Sequence, residues 1–342
     1  MRRKLVLTVS TTLALVLVLA VTLTISVNAH SQSRVIDPIV STGWLEGNSG
    51  IPNLVILDVR NPVEYAAGHI PGAINSPEGD WYINDPVPPF FSCFDPSGPD
   101  FPCMELPTVE DLFATIGNVG VTGDSLVVVV SRTVDSAWGP GVYAVAGATR
   151  VAVTLIYAGI RNVAILDGGY DKWIAEARSV STDVVTPTPV TYEGEVNEAM
   201  FVSMDYVENV VNRSWWMQLL ARSVIVDARD ADVYFGVNNE PWAAYPGHIP
   251  GATSLPVPWL WSVGADYTTY KDAAVLKDMG AGVAAKYFAP REIIVYCGVG
   301  GYASTDYFVL SEVLGYKNVK IYDGSAQEWT QAGNPIVTYE WE

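Results

Sequence analysis

Cysteine and histidine are both scarce, with three of each in 342 residues. Two of the cysteines share one loop and no histidine stands in a spaced ligand cluster, so neither a metal site nor another cofactor is expected. Cationic residues are short as well: 19 Lys and Arg face 37 Asp and Glu, a formal net charge of -18. Nucleic-acid binding needs clustered cations on phosphates, so that class of partner is excluded. An acidic, solvated surface accounts for the charge. Charged residues of all kinds make up only 16% and hydrophobic residues 49%, which excludes a chain dominated by disorder. The length is more than one core usually supports, and two domains are expected.

Residues 1–30 stand apart. Arg2, Arg3 and Lys4 precede an apolar run from Leu5 to Val27, the pattern of an export signal or an uncleaved signal anchor. Val27-Asn28-Ala29 offers small residues for cleavage. The run exceeds the usual hydrophobic region of about 7–15 residues and is long enough to span a bilayer, so cleavage and membrane attachment through residues 5–27 both stay open. Either way the positive-inside rule places the mature domains outside the cytoplasm, secreted or anchored in the cell envelope. In an oxidising compartment Cys93 and Cys103, within FSCFDPSGPDFPCME, are the expected disulfide, leaving Cys297 free.

The chain repeats itself with a period of roughly 170 residues. VILDVRNPVEYAAGHIPGAINSP (Val55 to Pro77) corresponds to VIVDARDADVYFGVNNEPWAAYPGHIPGATSLP (Val224 to Pro256), the second copy carrying an insertion before GHIPGA. Each copy opens on an apolar strand ending in Asp-x-Arg: Asp58 and Arg60, then Asp227 and Arg229. Downstream, Leu126 to Trp173 corresponds to Ile293 to Trp329: strand, loop, helical stretch, strand, Asp-Gly and Trp. Strands alternating with helical patterns predict an α/β fold, two tandem domains each with a parallel sheet covered by helices. The domains are set at residues 45–180 and 201–342, joined by a Pro-containing linker at 181–200.

The paired DxR…GHIPGA and strand-Cys-loop-helix signatures resemble the tandem rhodaneses, the thiosulfate and 3-mercaptopyruvate sulfurtransferases, from about Ile51 to the C-terminus. The resemblance implies a catalytic second domain with Cys297 as nucleophile. Ser131 stands at the matching position of the first, inactive domain. It implies transfer of sulfane sulfur from a small anionic donor to a thiol or cyanide acceptor through a Cys297 persulfide. It also implies that Arg229 holds the substrate anion, whereas the family's second arginine is replaced near Tyr234. Arg60 and His69 are the first-domain candidates for the interdomain cleft. Because GHIPGA occurs in both copies, a structural hydrogen-bonding role is favoured for His69 and His248.

The loop CGVGGYA makes chemical sense of this. A thiolate needs positive potential, and none of Gly298, Val299, Gly300, Gly301, Tyr302 and Ala303 is basic. Backbone N–H groups must supply it: glycines let the loop curl around one sulfur, and the following helix aims its N-terminus there. Such a cradle suits both thiolate and persulfide, the two states of ping-pong sulfur transfer. Cysteine phosphatases need an Arg six positions after the Cys; Ala303 stands there. Val299 occupies the position of the family's donor-selecting helpers, so thiosulfate and mercaptopyruvate remain open. The alternative is a sulfur-relay, redox-sensing or binding module outside the cytoplasm that does not turn over. Trp215, Trp216, Trp242, Trp259 and Trp261 are expected in core and interdomain packing.

Overall fold

The structure is a computed structural model that describes residues 34–84, 103–284 and 290–340. The N-terminal signal or anchor region, Cys93 and the Cys103 side chain lie outside the described residues. Among the described residues no helix is long and apolar enough to cross a membrane.

The first half carries strands β1 (Ile39–Val40), β2 (Leu54–Asp58), β3 (Ile74–Asn75), β4 (Ile83–Asn84), β5 (Cys103–Glu105), β6 (Leu126–Val130) and β7 (Val163–Leu166). The second carries β8 (Phe201–Val202), β9 (Ser223–Asp227), β10 (Thr253–Ser254), β11 (Trp261–Val263), β12 (Thr268–Tyr270), β13 (Glu292–Tyr296) and β14 (Val319–Tyr322). Two five-stranded sheets result, ordered β1-β7-β6-β2-β3 and β8-β14-β13-β9-β10. Every pairing in both is parallel. The duplication seen in the motifs is thus a duplication of topology, strand for strand. The central strands LVVVV and EIIVY are buried along their whole length, because helices cover both faces of a parallel sheet.

Two helices meet between the halves, Gly141–Tyr157 and Gly301–Tyr307. Small residues at the start of each (Gly141, Ala144, Ala148; Gly301, Ala303, Ser304) are buried and permit close approach. A single apolar cluster runs from Val151 and Leu155 of the first half to Phe308 and Leu310 of the second. The second helix continues as a π-helical segment, Phe308–Val313, toward Gly315, whose φ of 73° ends it.

Each half lends the other a hairpin. The β4–β5 pair reaches the second half, where Leu106 N–H donates to Asp323 Oδ2 at 2.9 Å. The β11–β12 pair reaches the first, where Tyr270 N–H donates to Asp167 Oδ1 at 2.9 Å. Asp167 and Asp323 are equivalent positions of the repeat. The linker runs along the first half: Val190 N–H bonds Gly117 O at 3.0 Å and Tyr192 OH bonds Ala158 O at 2.7 Å.

The tryptophans divide differently from expectation. Trp261 is buried, but Trp215, Trp216 and Trp259 are exposed. The first two lie on a short helix that buries none of its residues, so no core is available to them.

Candidate active site

In parallel α/β sheets, functional groups gather where strands end at their carboxyl side. Cys297 follows β13 directly and is buried. Its N–H donates to Ser325 Oγ at 3.1 Å, and Ser325 Oγ in turn donates to Tyr322 O at 2.9 Å. The carbonyls of Cys297 and Gly298 accept from Ala326 N–H (2.9 Å) and Gln327 N–H (3.0 Å). Strand end and loop are therefore bolted to the Asp-Gly-Ser turn after β14.

The sulfur sits in a nest of amides. Gly300 N–H donates to Sγ at 3.1 Å, and the N–H groups of Ala303 and Val299 also interact with it. Ser304 bonds Gly300 O through both N–H (3.1 Å) and Oγ (2.9 Å), which starts the helix. Gly300 has φ of 92°, and a Cβ there would stand 2.8 Å from Asp323 Oδ1 and 3.1 Å from Arg150 Nη1. Gly298 is required by proximity: a Cβ would lie 2.0 Å from Trp242 Nε1. Gly298 and Gly300 are thus required by their neighbours, and Gly300 also by its positive φ.

Behind Gly300 lies a cross-domain ion pair. Arg150, fully buried in the Gly141–Tyr157 helix, contacts Asp323 through Nη1–Oδ1 at 2.5 Å and Nη2–Oδ2 at 3.0 Å. Around the loop stand Met104, Tyr143 and Trp261. The Tyr302 ring is 6.0 Å from Tyr143 and 6.2 Å from Trp261. The Met104 side chain would be 3.5 Å from a Cβ on Gly301.

Burial pushes the Cys297 thiol above its ordinary value; the Ala303, Val299 and Gly300 amides pull it down, and Glu240 pushes it up. Glu240 is itself raised to about 7, chiefly by burial and against the pull of Arg229. Its Oε2 accepts from Trp242 Nε1 at 2.9 Å and lies 3.7 Å from Arg229 Nη1. Tyr302 is held well above the usual phenol range by burial and by nearby Tyr143, Asp230, Cys297 and Glu240. The cradle is an amide field set within an acidic rim.

Arg229 is almost wholly enclosed. It pairs with Asp227 (Nε–Oδ1 2.9 Å, Nη2–Oδ2 2.6 Å) and donates to Gly247 O at 2.7 Å. It meets the loop's surroundings through Glu240. Arg60 repeats this arrangement in the first half with Asp58 and Gly68 O, its guanidinium 3.7 Å above the Tyr170 ring. His69 is buried, stacked on Tyr65 at 3.8 Å, with its ring nitrogens 3.0 Å from Tyr65 O and Asp183 O. His248 stacks on Tyr234 in the same way. Both histidines thus brace the GHIPGA turns within their own halves.

The Ser131 loop has the same frame with its amides already occupied. Asp171 Oδ2 accepts from Thr133 N–H (2.5 Å) and Val134 N–H (3.2 Å), and Asp135 Oδ1 accepts from Gly141 N–H (2.9 Å). Thr268 of the partner hairpin caps Thr133 Oγ1 at 3.1 Å. A Cys297→Ser/Ser131→Cys variant is therefore expected to take up no sulfur, because Asp171 and Asp135 already accept from the loop N–H groups that would otherwise meet an anion. Intact-protein mass after donor treatment checks this, and stoichiometric loading would contradict it.

Glu240, Tyr143, Arg150 and Ser325 were not singled out from sequence. Arg150 carried a usable signal, being the one charged residue in GVYAVAGATRVAVTLIY. Glu240 carried none, because it lies in the insertion that the first copy lacks.

A family model for the rhodanese-like domain matches residues 41–176 and 212–332. The chain belongs to the rhodanese-like family, in tandem form. The rhodanese-like chain is 28% identical over 308 residues to a sulfur carrier protein, TtuD, of Thermus thermophilus, covering 87% of this chain and 94% of that one. It is 29% identical over 339 residues to thiosulfate/3-mercaptopyruvate sulfurtransferase 2 of Arabidopsis thaliana, covering 88% and 86%. The solved structure of an anaerobic ergothioneine biosynthesis enzyme from Chlorobium limicola shares the fold, with a TM-score of 0.67 at 23% identity over 88% of this chain and 70% of that one. The rhodanese-like relatives place this chain in the sulfurtransferase family.

Proposed function

We propose that the protein is a sulfurtransferase that carries sulfane sulfur as a persulfide on Cys297. The observation that carries this reading is the Gly300 N–H donated to Sγ at 3.1 Å, in a loop whose Ala303 and Val299 amides also pull the thiol down. The Cys297 thiolate attacks the outer sulfur of a small donor such as thiosulfate or 3-mercaptopyruvate. The new S–S bond forms as the donor's bond to that sulfur breaks, and sulfite or the pyruvate enolate leaves with the electron pair. A thiolate or cyanide acceptor then attacks the terminal sulfur and the Cys297 thiolate departs. The amides meet negative charge in both states, so nothing in the cradle need reorganise. Intact mass should rise by one sulfur atom on incubation with donor and return on adding thiol, with no gain in Cys297→Ser. Absence of the gain in the wild type, or an equal gain in the variant, would overturn it.

Glu240 opposes the anionic donors. Its carboxyl, raised to about 7, is neutral below that pH and charged above it. Ionisation therefore repels a dianionic donor and raises the thiol just as alkali begins to ionise it. Glu240→Gln is expected to speed thiosulfate loading at pH 8 by about tenfold. It should also move the pH midpoint of Cys297 alkylation downward. Unchanged rate and midpoint would remove Glu240 from this role.

A second reading, a sulfur carrier that reacts once and awaits a protein partner, is supported by the TtuD likeness and by the raised Cys297 thiol. Repeated turnover with a small thiol acceptor separates the two. Residues 1–30 support action outside the cytoplasm, with a Cys93–Cys103 disulfide there.

A further inference from the structure

The helix Trp215–Ala221 is built inside out. Its polar side chain faces the protein: Gln218 Nε2 donates to Arg213 O at 3.1 Å and Val211 O at 3.4 Å. Its apolar side chains face solvent, with Trp215 78%, Leu219 57% and Leu220 65% exposed and Trp216 and Met217 exposed beside them. Soluble surfaces rarely gather so many large apolar groups on one short helix without a use for them.

The charge around it is as unusual as the helix. In a chain of net charge -18, cations collect at this end of the second sheet. Arg213 precedes the helix and Arg222 caps it. Arg291 N–H bonds Arg222 O at 3.1 Å, and Asn318, next to Lys317, bonds Arg291 O at 2.8 Å. The nearby Glu292 is drawn inward by Tyr206, Ser223 and Lys320.

We propose that this helix and its cationic border form a docking surface for an anionic lipid bilayer. Tryptophan and leucine flanked by arginine suit the boundary between headgroups and acyl chains. The Leu5–Val27 run, long enough to span a bilayer, argues for lipid over a protein partner. The surface also has a defined orientation. Arg222, Arg291 and Lys317 precede β9, β13 and β14, while Cys297 follows β13. In a parallel sheet these are opposite ends, about 17 Å apart for a strand of five residues. A chain seated on lipid through this helix presents the Cys297 end of the sheet away from the membrane.

The test uses the full chain with vesicles containing phosphatidylglycerol or only phosphatidylcholine, each doped with a photoactivatable acyl-chain lipid, and maps adducts by peptide mass. Adducts at residues 213–222 with the anionic vesicles are expected. They should fall at least fivefold with phosphatidylcholine alone, in Arg213→Gln/Arg222→Gln, and in Trp215→Ser/Leu219→Ser/Leu220→Ser. Sulfur loading at Cys297 should be unchanged in both variants, showing that they fold. Adducts confined to residues 1–30, or none at all, overturn the proposal. So does cross-linking of this helix to a second copy or to another segment of the same chain in place of lipid.

Discussion

Arg150→Met is expected to lower the free energy of unfolding by about 3–5 kcal/mol, because it strands the Asp323 carboxylate beside a buried helix. Arg150 is fully buried and makes two contacts to Asp323, at 2.5 and 3.0 Å. The loss should exceed that for an ordinary methylene deletion, since the partner charge has little water to turn to. Arg150→Met/Asp323→Asn should recover most of it: the charge is gone, while an amide oxygen still accepts the Leu106 N–H now bonded to Asp323. Urea unfolding of the three proteins measures this. A loss below about 1 kcal/mol in the single variant, or no recovery in the double, would mean that the pair does not tie the halves together. Arg150 is a positioning residue, backing the Gly300 turn from the other half of the chain. Sulfur loading of the double variant should therefore be slower than wild type even where stability returns.

Gly300→Ala should cost about a hundredfold in the rate of Cys297 loading, the scale seen when one preorganised amide donor is lost. The substitution meets two obstacles. The φ of 92° is unfavourable for any residue with a Cβ, and the added carbon would stand 2.8 Å from Asp323 Oδ1. The backbone must shift, and the N–H now 3.1 Å from Sγ shifts with it. Gly315→Ala is the control. Its φ of 73° carries the same conformational cost, but no atom lies within 4 Å of the added carbon. It should lose stability and keep its loading rate. Equal rates for the two variants would show that the amide cradle is not what activates the sulfur.

Much of this was written in local pattern. Apolar runs ending in Asp-x-Arg produced β2 and β9, and the glycine-rich turn after β13 produced the nest, because strands and tight turns depend on residues close in sequence. Arg229 and Arg60 show where such reading stops. DxR marks both arginines, yet only folding brings Gly68 O and Gly247 O to them and closes them in. Trp215 and Trp216 show the opposite failure: hydrophobicity predicted burial, and the helix had no core against which to turn.

The sequence by itself determined the duplicated parallel α/β plan, the placement of the thiol at a strand end and the serine that stands for it in the first copy. Each of these follows from periodicity or residue identity over a few dozen positions. The tertiary structure decided what surrounds Cys297 and its loop. Glu240 from an insertion, Tyr143 and Arg150 from the first half, and Ser325 from the turn after β14 converge there from distant parts of the chain. Burial and charge act through space at separations of a few ångströms, and no local pattern records which remote residues folding will bring that close.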